Sequence, residues 1–201
     1  MSKKTAAARI CNYRIKVFNM RELSLNILDI VTNSIEAQSS RVIICIEELQ
    51  RDNIFRIRIR DNGRGMSREI QKKVLDPFVT SRTTRPVGMG LSLLSQAARQ
   101  AGGTVAIQSA LGKGTTVTAE FKKNHLNRSP MGNIADTIVN LIIGNLDIHF
   151  YYIHRTDFGR LGFDSYWIFA RMAEQDCSVY EIVGPAKEHI QKKLSAIHST
   201  G

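Results

Sequence analysis

At 201 residues and 43% hydrophobic composition, the chain is long enough for one full domain plus a small addition. It is also apolar enough to bury an ordinary core, which excludes a wholly disordered protein. The net charge is +10, unevenly spread. Residues 1–19 carry five basic side chains and no acid, residues 20–123 about +6, and residues 124–201 about −1. No helix or aromatic platform is lined with Lys and Arg, so the excess reads as solvated surface and not as a nucleic-acid contact. No apolar run approaches the roughly eighteen residues of a membrane span; the best candidate, IVNLIIGNL (138–146), is far too short. Lys3, Lys4 and Arg9 are followed by no long apolar stretch, which argues against a secretory signal. Cys11, Cys45 and Cys177 are odd in number and widely spaced, pointing to thiols in a reducing cytoplasm rather than disulfides or a zinc site.

Residues 1–19 read as a basic leader peripheral to the fold, with ARICNYRIKVF a short strand candidate. Residues 21–37 read as an amphipathic helix whose apolar stripe is Leu25, Leu28, Val31 or Thr32, and Ile35. On it Asp29 and Asn33, four apart, project from one face. RVIICIEEL (41–49) and IFRIRIR (54–60) alternate as strands do, joined by the turn-like QRDN. Ser67 caps a short helix to Val74, with Glu69 in its first turn. Residues 76–90 form a loop rich in Thr, Ser, Pro and Gly. GLSLLSQAARQAGG (90–103) is a helix that buries Leu91, Leu94, Ala97, Ala98 and Ala101 and stops at Gly102-Gly103. TVAIQSA and TTVTAEF form a β-hairpin around LGKG. Helices fall on one side and strands on the other, the two-layer α+β arrangement. NHLNRSP (124–130) reads as a linker. Residues 131–201 then form a small C-terminal α/β appendage: a helix in MGNIADTIVNLIIGN, strands in DIHFYYIHR and RLGFDSYWIF, and a last helix after Pro185.

Four stretches carry the chemistry. DNGRGM (61–66) puts a carboxylate at a strand end, and Gly63 and Gly65 permit positive φ and close approach to a ligand. Alone it is equally a hairpin turn. ELSLNILDIVTNSIEA (22–37) supplies Asp29 and Asn33. In TSRTTRPVGMGLSLL (80–94) a glycine-bearing loop runs into a helix, where bare amides and the helix dipole suit a phosphate. GKGTTV (112–117) is the hairpin turn. A GxxxxGK[ST] phosphate loop is missing from the sequence. In their order and spacing, the four stretches resemble the nucleotide-binding boxes of the gyrase, heat-shock chaperone, histidine kinase and mismatch-repair ATPase superfamily, over residues 20–123.

The resemblance implies a two-layer α/β sandwich of the Bergerat ATP-binding type, with ATP and Mg²⁺ as cofactors. By the same resemblance Asp61 accepts from the adenine amino group, Gly63, Gly65 and Met66 approach the base, and Asn33 offers its amide oxygen to Mg²⁺. Asp29 stands where the gyrase-like branch has a glutamate that polarises the attacking water, and is one methylene shorter. Thr80, Arg82, Thr83, Thr84, Gly88, Met89, Gly90 and Leu91 correspond to the ATP lid and the helix behind it, with Arg82 or Arg85 facing the γ-phosphate. Gly112, Gly114 and Thr115 correspond to the last glycine box. The five histidines, His125, His149, His154, His189 and His198, all follow the ATP-binding stretch, which argues against a complete sensor kinase. The tail is too short for the transducer of the gyrase and mismatch-repair branches. The expectation is a compact, stand-alone, bacterial, cytoplasmic ATP-binding protein that grips a protein partner through its C-terminal appendage. Three uses of ATP stay open: a slow ATPase or conformational switch, a protein kinase acting on a histidine or serine of a separate partner, and an ATP-sensing module without catalysis. His149 and His154, five apart on a strand, point to opposite faces and form no metal pair. The cluster of Phe150, Tyr151, Tyr152, Phe163, Tyr166 and Trp167 reads as the appendage's own core.

Overall fold

The computed structural model describes residues 22–74 and 90–199. The leader and most of the 76–90 loop lie outside the described residues. In chain order the elements are α1 (Leu23–Glu36), β1 (Arg41–Leu49), β2 (Ile54–Asp61), α2 (Arg68–Val74), α3 (Gly90–Gln100), β3 (Thr104–Ala110), β4 (Gly114–Lys122), α4 (Ile134–Ile143), β5 (His149–Thr156), β6 (Gly159–Asp164), α5 (Tyr166–Gln175) and α6 (Val183–Ala196). The strands make one six-stranded sheet in the order β3-β4-β2-β1-β5-β6. Only the β1–β5 pair is parallel. This is the two-layer α/β sandwich expected of the sequence.

Period-two alternation explains the layers. In β2, Phe55, Ile57 and Ile59 are buried, while Arg56, Arg58 and Arg60 point to the other face. The buried faces of β1, β2, β4 and β5 share one core with α1, α3, α4 and α6. The phase of α1 differs from the sequence expectation. Leu23, Ile27, Ile30, Val31 and Ser34 are buried, whereas Leu25 and Leu28 keep 42% and 39% of their surface exposed. Two interleaved apolar sets fit the helical period here, and the one containing Ser34 faces the sheet.

The C-terminal stretch supplies the secondary structure anticipated for it with two corrections. RLGFDSYWIF is a strand only to Asp164; the backbone N–H of Tyr166 donates to Asp164 Oδ1 (2.9 Å) and helix α5 starts there. Asp-Ser, a pair that favours helix starts, overrides the β-propensity of the aromatics behind it. Helix α6 begins at Val183, so Pro185 lies in its first turn, where no N–H is required. The strands β5 and β6 continue the sheet, with Ile44 paired to Tyr152 and Ile46 to His154. Residues before α4 also pack inward. The amides of Leu23 and Ser24 donate to the carbonyls of Pro130 and Met131 (2.9 and 2.8 Å), and the Arg128 guanidinium stands 4.7 Å over the Phe55 ring.

A buried polar chain crosses the β1–β5 seam. Glu48 and His154 have fully buried side chains, with His154 Nε2 2.8 Å from Glu48 Oε1. Lys123 Nζ lies 3.2 Å from Glu48 Oε2, and the Ser199 hydroxyl donates to Glu48 Oε1 at 2.6 Å. Tyr152 Oη is 2.6 Å from His154 Nδ1, and burial pushes its phenol well above the ordinary tyrosine range. The pattern is satisfied when Nε2–H donates to Glu48 and the phenol donates to Nδ1, which meets the demand that buried polar groups be paired. His149 sits on the opposite face of β5, with Nε2 2.9 Å from Asp164 Oδ1. Among the described residues no helix is long and apolar enough to cross a membrane, and Cys45 and Cys177 are free thiols.

Candidate functional site

Antiparallel pairing of β4 with β2 places Arg60 opposite Thr116, so the end of β2 meets the start of β4. Asp61 therefore lies against the β3–β4 hairpin. Its Oδ1 accepts from the backbone amides of Gly63 (2.9 Å) and Thr115 (3.1 Å), and its Oδ2 accepts from the Ser34 hydroxyl of α1 (3.0 Å). Three donors from three elements fix the orientation of a buried carboxylate. Each oxygen has two lone pairs, so Oδ2 keeps acceptor capacity for a further donor. Beside it opens a cleft of about 190 Å³. Ile30, Leu91 and Val117 form its apolar wall, Asn33, Asp61 and Thr115 its polar one, and the exposed side chains of Glu36, Arg64 and Ile70 its rim.

The loop after Asp61 is held on both sides. Asn62 Oδ1 accepts from the amides of Ser40 (3.0 Å) and Arg41 (2.9 Å), which ties it to the start of β1. The Met66 amide donates to Ser109 Oγ (2.8 Å), which donates to the Gly114 carbonyl (2.9 Å) and lies 2.9 Å from Thr115 Oγ1. Gln71 Nε2 donates to the carbonyls of Met66 (3.1 Å) and Ser109 (2.6 Å). Two glycines allow this closure. Gly65 has φ +68°, and a Cβ there would lie 2.0 Å from the Ala110 carbonyl oxygen; Gly114 has φ +79°, with a Cβ 2.1 Å from the Asp61 carbonyl oxygen. Neither position has room for a side chain.

The fold thus gathers Asn33, Asp61, Gly65, Met66, Leu91 and Thr115 around one cleft, with Gly63 and Gly114 behind it. Gly112 is at the hairpin tip, where its amide donates to the Arg64 carbonyl (2.8 Å), and it does not line the cleft. Asp29 is half-buried one turn before Asn33, outside the lining, where helices α1 and α3 touch: a Cβ on Gly90 would fall 2.7 Å from the Asp29 Cβ. Thr80, Arg82, Thr83, Thr84, Gly88 and Met89 lie outside the described residues. Sequence reasoning missed Ser34, Ser109 and Gln71. Ser34 carried a signal, a hydroxyl on the stripe that alternates with the exposed leucines; Ser109 and Gln71 carried none, because only the tertiary register brings them to the loop. Among the described residues no group of three or more His, Cys, Asp or Glu is placed to hold a metal ion.

A family model described as histidine kinase-, DNA gyrase B-, and HSP90-like ATPase matches residues 20–125. The signal transduction histidine-protein kinase AtoS of Escherichia coli strain K12 is 34% identical over 108 residues, 53% of this chain and 17% of that protein. Sporulation kinase D of Bacillus subtilis strain 168 is 32% identical over 94 residues, 46% of this chain and 18% of that protein. The chain thus spans under a fifth of the length of these curated relatives. Among solved structures, the Aquifex aeolicus MutL ATPase domain complexed with ADP aligns at a TM-score of 0.41 and 17% identity, covering 64% of this chain and 57% of that one.

Proposed function

We propose that this chain, which belongs to the histidine kinase-, DNA gyrase B-, and HSP90-like ATPase family and binds ATP, takes it as the Mg²⁺ complex in the Asp61 cleft. It acts as a slow ATPase whose nucleotide state changes its grip on a protein partner. The observation that carries the reading is the Asp61 carboxylate, held by three donors and turned toward an apolar-walled cleft. A planar base slides between such walls, and its exocyclic amino group finds an acceptor in Oδ2. Asn33 supports the metal assignment. Mg²⁺ keeps most of its waters and takes few protein ligands, so one amide oxygen beside the nucleotide phosphates suffices as the protein's share. Asp29, the carboxylate one turn from Asn33, is the group we assign to orienting the attacking water. The curated relatives named above are bacterial, which supports a bacterial setting, and the free thiols of Cys45 and Cys177 suit a reducing cytoplasm.

A kinase acting on a separate partner is the second reading, favoured by the word kinase in both relatives' names. Positioning and charge stabilisation dominate phosphoryl transfer, so water and a partner side chain compete for one geometry. ATP labelled on the γ-phosphate separates the two. With Mg²⁺, wild-type protein releases free phosphate and Asp29→Asn does not, while both bind ATP. Label retained on protein, or transferred only when a partner is supplied, selects the kinase. Asn33→Ala abolishes magnesium-dependent binding, and equal affinity for ATP and GTP in the unaltered protein removes the adenine role from Asp61.

A further inference from the structure

The described helices pack into the core from one face of the sheet. Among the described residues the other face is open strand except at one end, where Tyr166 of α5 stacks on His149 with ring centroids 4.5 Å apart. The register sets that bare face out in rows across the strands. One row runs Thr116, Arg60, Ile43, Tyr151, Asp164, and the next Thr118, Arg58, Cys45, Ile153, Gly162. A third runs Glu120, Arg56, Glu47, Arg155, Arg160. Down the middle, β1 and β5 present Ile43, Cys45, Tyr151 and Ile153, all half-buried. Gly162 adds no side chain beside this lane. Arginines border it: Arg58 and Arg60 on β2, Arg160 on β6.

The acids of the face are already engaged. Glu47 and Glu120 both hold Arg56, each at 2.6 Å, and Asp164 holds His149 at 2.9 Å. Arg58, Arg60 and Arg160 are exposed and have no acidic partner among the described residues. A sheet face of this kind is ordinarily covered by a second layer. Here the lane is two strands wide, and from β2 to β6 is three strand spacings, about 14 Å at roughly 4.8 Å each. That width accepts one α-helix of about 10–12 Å diameter between the arginine borders.

We propose that the bare sheet face docks an amphipathic helix of a partner protein, with its apolar stripe on Ile43, Cys45, Tyr151 and Ile153 and its Asp or Glu flanks on Arg58, Arg60 and Arg160. The chain's own residues 1–19 do not complement it, having five basic side chains and no acid. Single-stranded nucleic acid is disfavoured because such sites stack bases on exposed aromatic side chains. Within the lane the one aromatic is Tyr151, half-buried, and at its end Tyr166 is already stacked on His149 (4.5 Å), which leaves no open row of rings along the strands. Phe158, 72% exposed at the β5–β6 turn, lies at one end and offers an anchor for the helix end. The docking surface stands apart from the nucleotide cleft and does not depend on how ATP is used.

The test uses the full chain and a fluorescent synthetic helix of about 18 residues, roughly 27 Å long, with a leucine stripe flanked by glutamates. A version with lysine flanks and a single-stranded oligonucleotide serve as competitors. The glutamate helix should bind, shifting the amide NMR signals of Ile43, Cys45, Tyr151 and Ile153. Arg58→Glu/Arg160→Glu should weaken it roughly ten-fold or more, and raised salt should weaken it further. ATP binding by the double variant, unchanged, shows that the fold is intact. Equal binding of the lysine helix, no binding up to about 1 mM, or shifts on another surface each overturn the proposal. So does tighter binding of the oligonucleotide on this face, or a dimer in solution that buries it.

Discussion

Gly65, Gly112 and Gly114 give a test in which the backbone is its own control. Their φ angles are alike, +68°, +70° and +79°, so an alanine at any of them incurs a similar left-handed cost, about 1–2 kcal/mol. Space separates them. A Cβ on Gly112 meets nothing within 4 Å, whereas on Gly65 it would lie 2.0 Å from the Ala110 oxygen and on Gly114 2.1 Å from the Asp61 oxygen. Those oxygens belong to backbone and cannot swing aside, so strand ends must part by more than an ångström. Overpacking of that kind adds about 1–3 kcal/mol or more. In a domain of this size about 1 kcal/mol shifts Tm by roughly 2–4 °C. Gly112→Ala should therefore lower Tm by only a few degrees, and Gly65→Ala or Gly114→Ala by roughly 10 °C. Parting the strands also breaks the bond from the Thr115 amide to Asp61, so the latter two should lose the Tm increase that ATP gives the wild type. Thermal unfolding with and without Mg-ATP reads both effects. If all three variants fall together, or Gly112→Ala alone loses the ATP response, the assignment of the close approach to the site is wrong.

Ser34→Ala removes one of the three donors to Asp61. A hydrogen bond to a charged group is worth about 1.5–3 kcal/mol, so calorimetry should show ATP affinity reduced roughly ten-fold or more; undiminished affinity takes Ser34 out of the site. The protein has one tryptophan, and Trp167 stacks on His189 with ring centroids 4.7 Å apart. Burial, and then Lys193, Arg171 and Lys192, hold the His189 pKa below its ordinary value. A depressed imidazole disfavours protonation in the fold, so its share of stability is complete above the ordinary histidine pKa and is lost as pH falls through the depressed one. Trp167 fluorescence should accordingly titrate with a midpoint below about 6.5, and His189→Gln should abolish that transition. A midpoint above that value contradicts the arrangement.

The parts legible in the sequence were the local ones. Alternation in IFRIRIR settles which of its side chains are buried, and a glycine pair settles where α3 stops. The glycine boxes could be read because close backbone approach needs glycine whatever surrounds it. Features fixed by long-range register were not legible. Nothing in HFYYIHRT announces a parallel partner in β1, since a short apolar run pairs with many neighbours equally well. In α1 both leucine and isoleucine stripes satisfy the helical period, and only the sheet beneath decides between them. Ser109 becomes a clamp because a hairpin folds back over Met66.

Register also bears on how far the ATP-binding part stands alone. The family match ends at residue 125, yet β1 has neighbours on both sides, β2 and β5, and α1 begins on hydrogen bonds to Pro130 and Met131. Ending the chain at 125 would turn β1 into an edge strand, with a row of unpaired backbone groups. It would uncover Val42, Ile44 and Ile46 where α4 and β5 cover the core, and take His154 and Ser199 from the buried Glu48. Glu48 keeps Lys123, but the apolar cover lost, at roughly 25 cal/mol per Å², is a large part of the about 5–15 kcal/mol that holds a typical domain together. Residues 20–125 should therefore give no cooperative urea transition, while residues 20–199 give one. Glu48→Ala in the longer chain, which leaves both Lys123 and His154 without their carboxylate, should move its midpoint markedly lower. A shorter chain that unfolds cooperatively at an unchanged midpoint and binds ATP would show the C-terminal strands to be an addition the nucleotide site does not need.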